Sequence, residues 1–348
     1  MADYTTIDNP FKHFNTVLYT GNGGSSLAVT GVAFQPDWVW LKSRSDTEQH
    51  TAWDSVRGGS KRLMPDDSAA EYDNSTQGLQ SFDSDGFTCG DSDQYNKSSQ
   101  NVASWNWLGA NGTTSNSDGS ITSTISANPT AGFCICSWTG DGSDATIGHG
   151  LGAVPKMIIH KHRSGSVQWN VYHVGAGTGG YLRLDGTGAF TSNSGFFGTA
   201  PTSSVFSPGS HSYMSGSGND NIAYIFADVQ GYSKFFSYEG NSNSDGTFVY
   251  LGFKPAWIMV KPIDAADNWV MFDNKRHNAI NSSVSPYLLY ANRNFAETTD
   301  TKLVDFVSNG FKIRSSGNTV NRSSTFIGMA FAEAPFVTAG TKAAGTAR

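Results

Sequence analysis

The amino-acid sequence predicts an all-β protein, and the prediction rests on composition, strand-length apolar runs and an internal repeat. Charged residues make up 15% of the 348 residues, below the roughly 25% usual for globular chains, so Ser, Thr, Asn and Gly must build much of the surface. The 39 glycines supply the positive φ angles of tight turns. Aromatic and β-branched runs bounded by Gly, Asn, Asp and Ser are typical of strands and hairpins.

One pattern occurs three times along the chain. In each copy an aromatic residue is followed seventeen positions later by a proline, and six positions further by a lysine. The three sets are Tyr19, Pro36 and Lys42; Trp138, Pro155 and Lys161; and Tyr238, Pro255 and Lys261. A copy of about 100 residues with short strands predicts a β-sandwich or jelly-roll-like (concanavalin-like) unit, so we expect three such repeats in tandem.

The copies define the expected domain organisation. The predicted parts are the first repeat (1–110), a segment rich in Ser, Thr and Gly (111–132), the second repeat (133–231), the third repeat (232–336) and a tail (337–348). The second part is either a flexible linker or an added hairpin, because Ile121 and Ile125 alternate with polar residues in it. The tail lacks bulky residues after Val337 and is predicted to be flexible.

The strand after the recurrent proline is predicted to be buried. In the first copy Trp38 and Trp40 point to one side of the sheet, and the residues that alternate with them point to the other. The recurrent lysine is expected to end this strand in solvent, with its stem lying on an aromatic ring. The next strand is expected to carry a tryptophan in every copy, namely Trp53, Trp169 and Trp269. Trp38, Trp257 and Trp269 are predicted to be core residues.

Charge and hydropathy exclude several classes of function. A net charge of −6 and a pI near 5.7 argue against nucleic-acid binding, which requires a basic face. No apolar run approaches the roughly 18 residues of a membrane helix, and the first residues do not resemble a secretory signal, so we expect a soluble protein made in a cytoplasm. The three cysteines are predicted to be buried free thiols.

Catalytic motifs are not apparent in the sequence. A GxSxG nucleophile motif is missing, and the Gly-rich stretches do not precede a helix, as a phosphate-binding loop would require. The copies share no carboxylate pair of the kind that glycoside hydrolysis needs. We therefore expect a protein that is not an enzyme, with a polysaccharide depolymerase as the enzymatic alternative.

One acidic loop deserves a comparison with metal sites. The stretch FDSDGFTCGDSDQYN contains four aspartates, Asp83, Asp85, Asp91 and Asp93. Such oxygen-rich loops can hold Ca²⁺, but the spacing is not that of an EF-hand and the other copies keep only Asn or Ser. Solvated hairpin turns are the favoured interpretation, with Ca²⁺ as the alternative and no other cofactor expected.

Sugar binding is the favoured activity for this composition. Exposed aromatic rings give flat apolar platforms, and Asn, Asp and Ser in neighbouring turns supply hydrogen bonds. The candidate ligand contacts are loop aromatics and a histidine, namely Trp53, Tyr72, Tyr95, His211 and Tyr213. On this view Tyr95 is exposed, and its replacement by alanine would change stability by less than about 1 kcal/mol.

The repeated phrases resemble a known but uncharacterised protein family. FNTVLYTGNGG, DGSITSTISANPTAGF, GHGLGAVPKMII, YIFADVQGYSKFFSYEGN and MAFAEAPF are similar to a domain of tailed bacteriophages that infect marine and freshwater bacteria. The resemblance runs from about Asp8 to Phe336. Proteins with this domain are usually called tail-fibre or virion structural proteins, and the family brings no established catalytic residues.

The resemblance implies a location in the virion and a role in binding or assembly. The expected partners are other virion proteins, host-surface polysaccharide and further copies of the chain, with a trimer as the first choice. A receptor-binding tail-fibre adhesin is the leading interpretation. A capsid or tail decoration subunit and a polysaccharide-depolymerising tailspike are the alternatives.

Overall fold

The computed structural model describes residues 4–276, 287–299 and 303–337, and it confirms the all-β class. In these residues helix is confined to a 3-10 turn at Pro10–Lys12 and to two four-residue helices, α1 (Ser212–Ser215) and α2 (Asn318–Asn321). None of the described helices is long and apolar enough to cross a membrane. The predicted flexible tail, apart from Val337, lies outside the described residues.

The first lobe is a sandwich of two antiparallel sheets. Its strands are β1 (Phe14–Thr20), β2 (Leu27–Thr30), β3 (Trp38–Ser43), β4 (Thr51–Asp54), β5 (Lys61–Arg62), β6 (Tyr72–Asp73), β7 (Leu79–Asp83), β8 (Gly86–Cys89) and β9 (Asn101–Trp107). The larger sheet has the order β1-β9-β3-β4 and the smaller sheet has the order β2-β8-β7, while β5 pairs with β6. Val39, Phe87 and Val102 belong to the core between the two sheets.

The second lobe has the largest sheet. Its strands are β10 (Thr114–Asn116), β11 (Ser123–Asn128), β12 (Phe133–Thr139), β13 (Ile147–Gly148), β14 (Met157–His162), β15 (Asn170–His173), β16 (Gly177–Arg183), β17 (Thr191–Ser192), β18 (Val205–Phe206) and β19 (Asp220–Phe226). The order is β10-β11-β12-β19-β14-β15-β16-β17, and β13 pairs with β18. The segment 111–132 is therefore an added hairpin beside β12. All three cysteines are free and buried, as predicted.

The third lobe repeats the two-sheet arrangement. Its strands are β20 (Ser233–Glu239), β21 (Phe248–Tyr250), β22 (Phe253–Pro262), β23 (Val270–Asp273), β24 (Tyr287–Tyr290), β25 (Thr298–Thr299), β26 (Val304–Val307), β27 (Gly310–Ile313) and β28 (Thr325–Pro335). The larger sheet has the order β20-β28-β22-β23-β24-β25, and the smaller sheet has the order β21-β27-β26.

The three larger sheets share one strand order. In each lobe the opening strand pairs with the closing strand, which pairs with the strand after the recurrent proline, as in β1-β9-β3, β12-β19-β14 and β20-β28-β22. Glycines in the corresponding hairpins of the first and third lobes also lie too close to a neighbouring backbone carbonyl to carry a side chain. A Cβ on Gly86 would lie 1.9 Å from the carbonyl oxygen of Val29, and one on Gly310 would lie 2.0 Å from that of Val249. This shared order supports the predicted repeats, whose number and boundaries stay predictions.

The central strands of each larger sheet are buried on both faces. One face packs on the smaller sheet of its own lobe, and the other packs into a central core that residues of all three lobes build. In β3, Trp38 and Trp40 belong to the central core, whereas Val39 and Leu41 belong to the core of the first lobe, as the alternation predicts. Every residue of β3 is consequently buried.

Aromatic rings from the three lobes meet in the central core. Trp38 stacks on Tyr224 of the second lobe with ring centroids 4.1 Å apart. Phe331 of the third lobe lies 5.8 Å from Trp107 and 6.1 Å from Phe226, measured between centroids. Since a large aromatic side chain buries 150–250 Å², this core contributes much of the apolar burial that holds the lobes together. The predicted burial of Trp38, Trp257 and Trp269 is confirmed, because each is at most 1% exposed.

The lobes contact one another in a closed ring through equivalent backbone hydrogen bonds. The amide N–H of Glu71 in the first lobe donates to the carbonyl of Arg163 in the second lobe at 2.9 Å. Phe190 N–H of the second lobe donates to Ile263 O of the third lobe at 2.7 Å. A final bond closes the ring, since Glu297 N–H of the third lobe donates to Arg44 O of the first at 2.9 Å.

A second set of equivalent contacts uses ring N–H groups. Trp169 Nε1 donates to Met64 O and Trp269 Nε1 donates to Arg183 O, both at 2.8 Å, and His50 Nε2 lies 3.0 Å from Tyr290 O. His50 Nδ1 accepts a hydrogen bond from Trp40 Nε1, so Nε2 carries the proton of the neutral ring. This set of contacts corrects the expectation that Trp53 is the equivalent of Trp169 and Trp269. The counterpart of Trp169 and Trp269 is His50, and Trp53 lies three positions further along.

The expectation that the recurrent lysines end in solvent is wrong. Lys42, Lys161 and Lys261 are fully buried, because the loop of the neighbouring lobe or the following turn covers each strand end. Lys161 Nζ donates to Ser68 O of the first lobe at 2.9 Å, and Lys261 Nζ donates to Thr187 O of the second at 3.0 Å. Burial lowers the pKa of all three lysines to about 8.

We expect replacement of Trp38 by alanine to lower the free energy of unfolding by about 3–5 kcal/mol, because it removes a ring from the central core. Phe295→Ala is the control, since Phe295 is 51% exposed, and it should cost less than about 0.5 kcal/mol. Urea unfolding followed by tryptophan fluorescence measures both. Equal effects of the two substitutions would contradict the central core.

The buried lysines predict a pH dependence of stability. In the unfolded chain Lys261 titrates at its ordinary pKa of 10.5, whereas in the folded chain its pKa is about 8. Between these values the unfolded chain binds more protons, so the contribution of this site to stability rises with pH.

Comparison of the wild type with Lys261→Met isolates this contribution. The unfolding free energy of the wild type minus that of the variant should rise by on the order of 2–3 kcal/mol between pH 7 and 10. Lys234→Met, which removes an ammonium group that is 44% exposed, is the matched surface control for the loss of one positive charge. A difference for Lys261→Met that does not change with pH would show that the buried amine is not responsible.

Candidate functional site

A polar and aromatic depression lies on the first lobe. We call it the Tyr72 site, and its lining residues are Ser60, Arg62, Tyr72, Asn74, Gln77, Gly78 and Tyr95. Pairing of β5 with β6 places Arg62 directly opposite Tyr72, so the two side chains are cross-strand neighbours. The guanidinium lies 5.0 Å from the ring centroid, which is a cation–π contact, and Tyr72 is 48% exposed.

Amide groups beside Tyr72 are held in fixed orientations. Asn74 Oδ1 accepts hydrogen bonds from the backbone N–H groups of Thr76 and Gln77, both at 3.0 Å, which fixes the turn after β6. Asn74 Nδ2 donates to Gln77 Oε1 at 3.1 Å, and Arg62 Nη1 donates to Gln94 Oε1. The site therefore combines a ring face, a cation and oriented amides, which together can bind a ligand rich in hydroxyl groups.

A row of stacked rings lies on the second lobe. We call Tyr181, Phe196, His211 and Tyr213 the aromatic row; successive ring centroids are 4.4, 4.4 and 4.7 Å apart. The Arg183 guanidinium lies 4.0 Å from the Tyr181 ring centroid. Tyr213 at the end of the row is 43% exposed.

His211 fixes the geometry at the outer end of this row. It caps the short helix α1, because its Nδ1 accepts a hydrogen bond from Tyr213 N–H at 3.2 Å. Burial, together with the nearby Arg183 guanidinium, lowers the pKa of His211. The lowered pKa favours the uncharged imidazole, whose ring lies between those of Phe196 and Tyr213.

The Tyr72 site and the aromatic row occupy equivalent positions of their lobes. The cross-strand pair Arg62 and Tyr72 corresponds to the pair Tyr181 and Thr191, which β16 and β17 form in the second lobe. The structure thus brings the predicted residues Tyr72 and His211 to the same part of two lobes. The chemistry differs between the two lobes, because the position of the Arg62 guanidinium in the first lobe is occupied by the Tyr181 phenol in the second.

Two of the predicted ligand contacts are in the interior. Trp53 and Tyr95 are both fully buried and pack edge to face, with centroids 5.0 Å apart in the core of the first lobe. The expected exposure of these two residues is wrong, because the smaller sheet covers the strand and loop that carry them. Neither ring is placed to contact a ligand from the surface, although Tyr95 lies beneath the Tyr72 site.

The four aspartates of the acidic loop do not converge on one point. Asp85 accepts hydrogen bonds from the N–H groups of Gly31 and Ala33 at 3.1 and 2.6 Å, and Asp83 accepts one from the Thr88 hydroxyl at 2.8 Å. Asp91 and Asp93 are exposed. Among the described residues no group of three or more His, Cys, Asp or Glu side chains is placed to hold a metal ion, so the structure does not bring the four candidate Ca²⁺ ligands together.

Buried carboxylates with raised pKa values are a common mark of active sites, but here they have a structural role. Burial raises the pKa of Asp66 to about 7 and that of Asp185 to about 6. Asp66, Asp185 and Asn292 each accept a hydrogen bond from a backbone N–H through Oδ1, at 3.0, 3.2 and 2.9 Å. Since an asparagine serves equally in the third lobe, an ionisable group is not required at this position.

Comparison with known proteins places the chain in a family. Residues 9–335 match the family described as a domain of unknown function, DUF7483, which is nearly the whole chain. The chain belongs to the DUF7483 family. No curated protein and no solved structure matches it. Family membership therefore assigns no activity, and the geometry of this DUF7483 protein must carry any functional conclusion.

Sequence reasoning missed Arg62, Tyr181 and Phe196 in this DUF7483 protein. The stretch GYLRL gave a usable signal, because Tyr181 and Arg183 alternate with leucines and must leave the sheet on the opposite face from them. Arg62 gave no local signal. Its position opposite Tyr72 follows only from the pairing of two short strands that a long loop separates.

Replacing Tyr72 or Tyr95 by alanine separates the exposed ring from the buried one. We expect Tyr72→Ala to change the free energy of unfolding by less than about 0.5 kcal/mol, as at other exposed positions. Tyr95→Ala should cost about 3–5 kcal/mol, because it leaves a large cavity beside Trp53. Chemical denaturation of the two variants measures both free energies of unfolding. A small loss of stability for Tyr95→Ala would contradict the burial of Tyr95.

Proposed function

We propose that this DUF7483 protein is a noncatalytic structural protein of a bacteriophage virion, which attaches to host-surface glycan. The observation that carries the glycan part is that an exposed ring stands beside oriented polar groups on each of two lobes. Tyr72 with Arg62 and Asn74 forms this arrangement on the first lobe. Tyr213 and His211 end the aromatic row on the second lobe.

The physical chemistry of these surfaces suits a carbohydrate. The faces of a sugar ring carry C–H groups that pack on an aromatic platform, while its hydroxyls need donors and acceptors at the edge of that platform. A tyrosine ring orders few rotatable bonds when it binds, so such contacts lose little conformational entropy. The net charge of −6 gives no general attraction to polyanions, which favours recognition by shape and hydrogen bonds.

The virion location rests on the resemblance of the repeated phrases to an uncharacterised domain of tailed bacteriophages. We place the protein in a tail fibre, in contact with other virion proteins and as a homo-oligomer, with a trimer as the first choice. Sedimentation of the purified chain tests the trimer separately from glycan binding. The three lobes of one chain already form a closed ring, so a monomer would also be a complete body.

A glycan array with the purified chain tests the proposed attachment. The wild type should bind at least one host-type polysaccharide saturably and without shortening it. Tyr72→Ala or Tyr213→Ala should weaken this binding by about tenfold, whereas Tyr72→Phe should retain it, because the ring face remains.

Three results would contradict different parts of the proposal. Shortened oligosaccharides would indicate a depolymerase. Tight binding to capsids without glycan binding would indicate a decoration subunit. Glycan binding that neither tyrosine substitution weakens would place the binding site elsewhere on the molecule.

A further inference from the structure

A cavity lies where the second lobe passes into the third, and none of its lining residues belongs to either surface described above. It has a volume of about 430 Å³, and its side-chain lining includes Tyr4, Asp228, Gln230, Ser233, Lys234 and Tyr250. Ligand pockets in proteins typically have 300–1,000 Å³. We call this cavity the Tyr250 pocket, and its size suits one sugar unit.

The base of the Tyr250 pocket is fixed by the fold. The Tyr4 hydroxyl donates to Gly252 O at 2.6 Å, and the Ser233 hydroxyl donates to Ala227 O at 3.2 Å. Burial, with the Tyr250 hydroxyl nearby, raises the pKa of Tyr4 to about 12, so its hydroxyl stays a donor at neutral pH. A Cβ on Gly252 would lie 2.8 Å from the Tyr4 hydroxyl, so the N-terminal segment packs closely on this turn. The pocket is therefore preformed.

An aromatic platform forms one wall. In β21 the side chain of Val249 points into the third-lobe core, and those of Phe248 and Tyr250 point outward on the opposite face. Tyr250 is 59% exposed and Phe248 is 45% exposed. An exposed apolar ring beside a polar cavity is an arrangement that favours ligand binding over stability, because folding gains little from it.

The pocket lining also includes a carboxylate, an ammonium group and a side-chain amide. Asp228 Oδ1 accepts a hydrogen bond from Phe235 N–H at 2.8 Å, which orients the carboxylate. Its Oδ2 lies 3.7 Å from Lys234 Nζ, a loose ion pair whose two side chains are 31% and 44% exposed. The amide of Gln230 is exposed at the rim. The pocket thus offers an acceptor, a cation and an amide, with charges that offset one another.

We propose that the Tyr250 pocket binds one neutral hexopyranose unit, whose ring stacks on Tyr250 while its hydroxyls bridge the Asp228 carboxylate and the Lys234 ammonium group. A hydroxyl both donates and accepts, so it satisfies the acceptor and the donor together. The carboxylate of a sugar acid would be repelled by the Asp228 carboxylate, so we expect a sugar acid to bind less tightly than a neutral sugar. This site goes beyond the proposed function, because it does not depend on the surfaces of the first two lobes.

Titration calorimetry with defined sugars tests the pocket. The probes are the methyl glycosides of glucose, galactose and mannose, with methyl glucuronide as the charged comparison. The wild-type chain should bind at least one neutral glycoside more tightly than the glucuronide. Tyr250→Ala should weaken that binding by about tenfold or more, whereas Tyr250→Phe keeps the ring and should change it by less than about threefold.

Two further variants make the test specific. Asp228→Asn should also weaken the neutral glycoside, because an amide group accepts a hydrogen bond less strongly than a carboxylate. Phe295→Ala should leave this affinity unchanged, because Phe295 is 51% exposed and lies outside the pocket and both surfaces described above. Circular dichroism checks that each variant is folded.

The proposal is overturned if the folded wild type binds none of the three glycosides. It is also overturned if Tyr250→Ala binds as the wild type does, or if the glucuronide binds more tightly than every neutral glycoside. Retained pocket binding with no response on the glycan array would instead reject only the attachment function proposed above.

Discussion

Burial of the central strands of each larger sheet on both faces is the constraint on which the rest of this structure depends. A two-sheet sandwich alone leaves the outer face of each sheet in water, but here the outer faces of three sheets form one aromatic core. Trp38, Phe226 and Phe331 can pack there only when all three lobes are in place. Strands such as β3 are therefore apolar on both faces, and the stability of each lobe is coupled to that of the other two.

The same constraint explains why polar groups at the lobe boundaries are buried and paired. Asp54 accepts a hydrogen bond from the Tyr224 hydroxyl at 2.7 Å, and Asp273 accepts one from Trp105 Nε1 at 3.1 Å. At the equivalent position His173 Nε2 lies 3.1 Å from Gly328 O. Each of these three residues pairs with a group of the next lobe around the ring, two through a carboxylate and one through an imidazole. An unpaired polar group at these positions would destabilise the fold, so the boundaries specify how the lobes fit together.

A rigid centre leaves the outer strands and turns free to differ. Tyr72, Tyr213 and Tyr250 lie on such parts, one in each lobe, and all three are at least 43% exposed. Their neighbours are a guanidinium, an imidazole and a carboxylate with an ammonium group, respectively. The proposed sites would therefore lie together on one body, where several weak contacts bind more strongly together than each does alone.

The sequence by itself determined the all-β class, the free buried cysteines and the alternation of β3, because these depend on composition and on the two-residue period of a strand. It also predicted the buried tryptophans. Tertiary structure alone decided that Lys261 is buried under the second lobe, that His50 corresponds to Trp169, and that Tyr95 is internal. Each of these outcomes depends on a segment, distant in the sequence, that covers the residue. The local sequence pattern around a residue does not indicate which distant segment will pack on it.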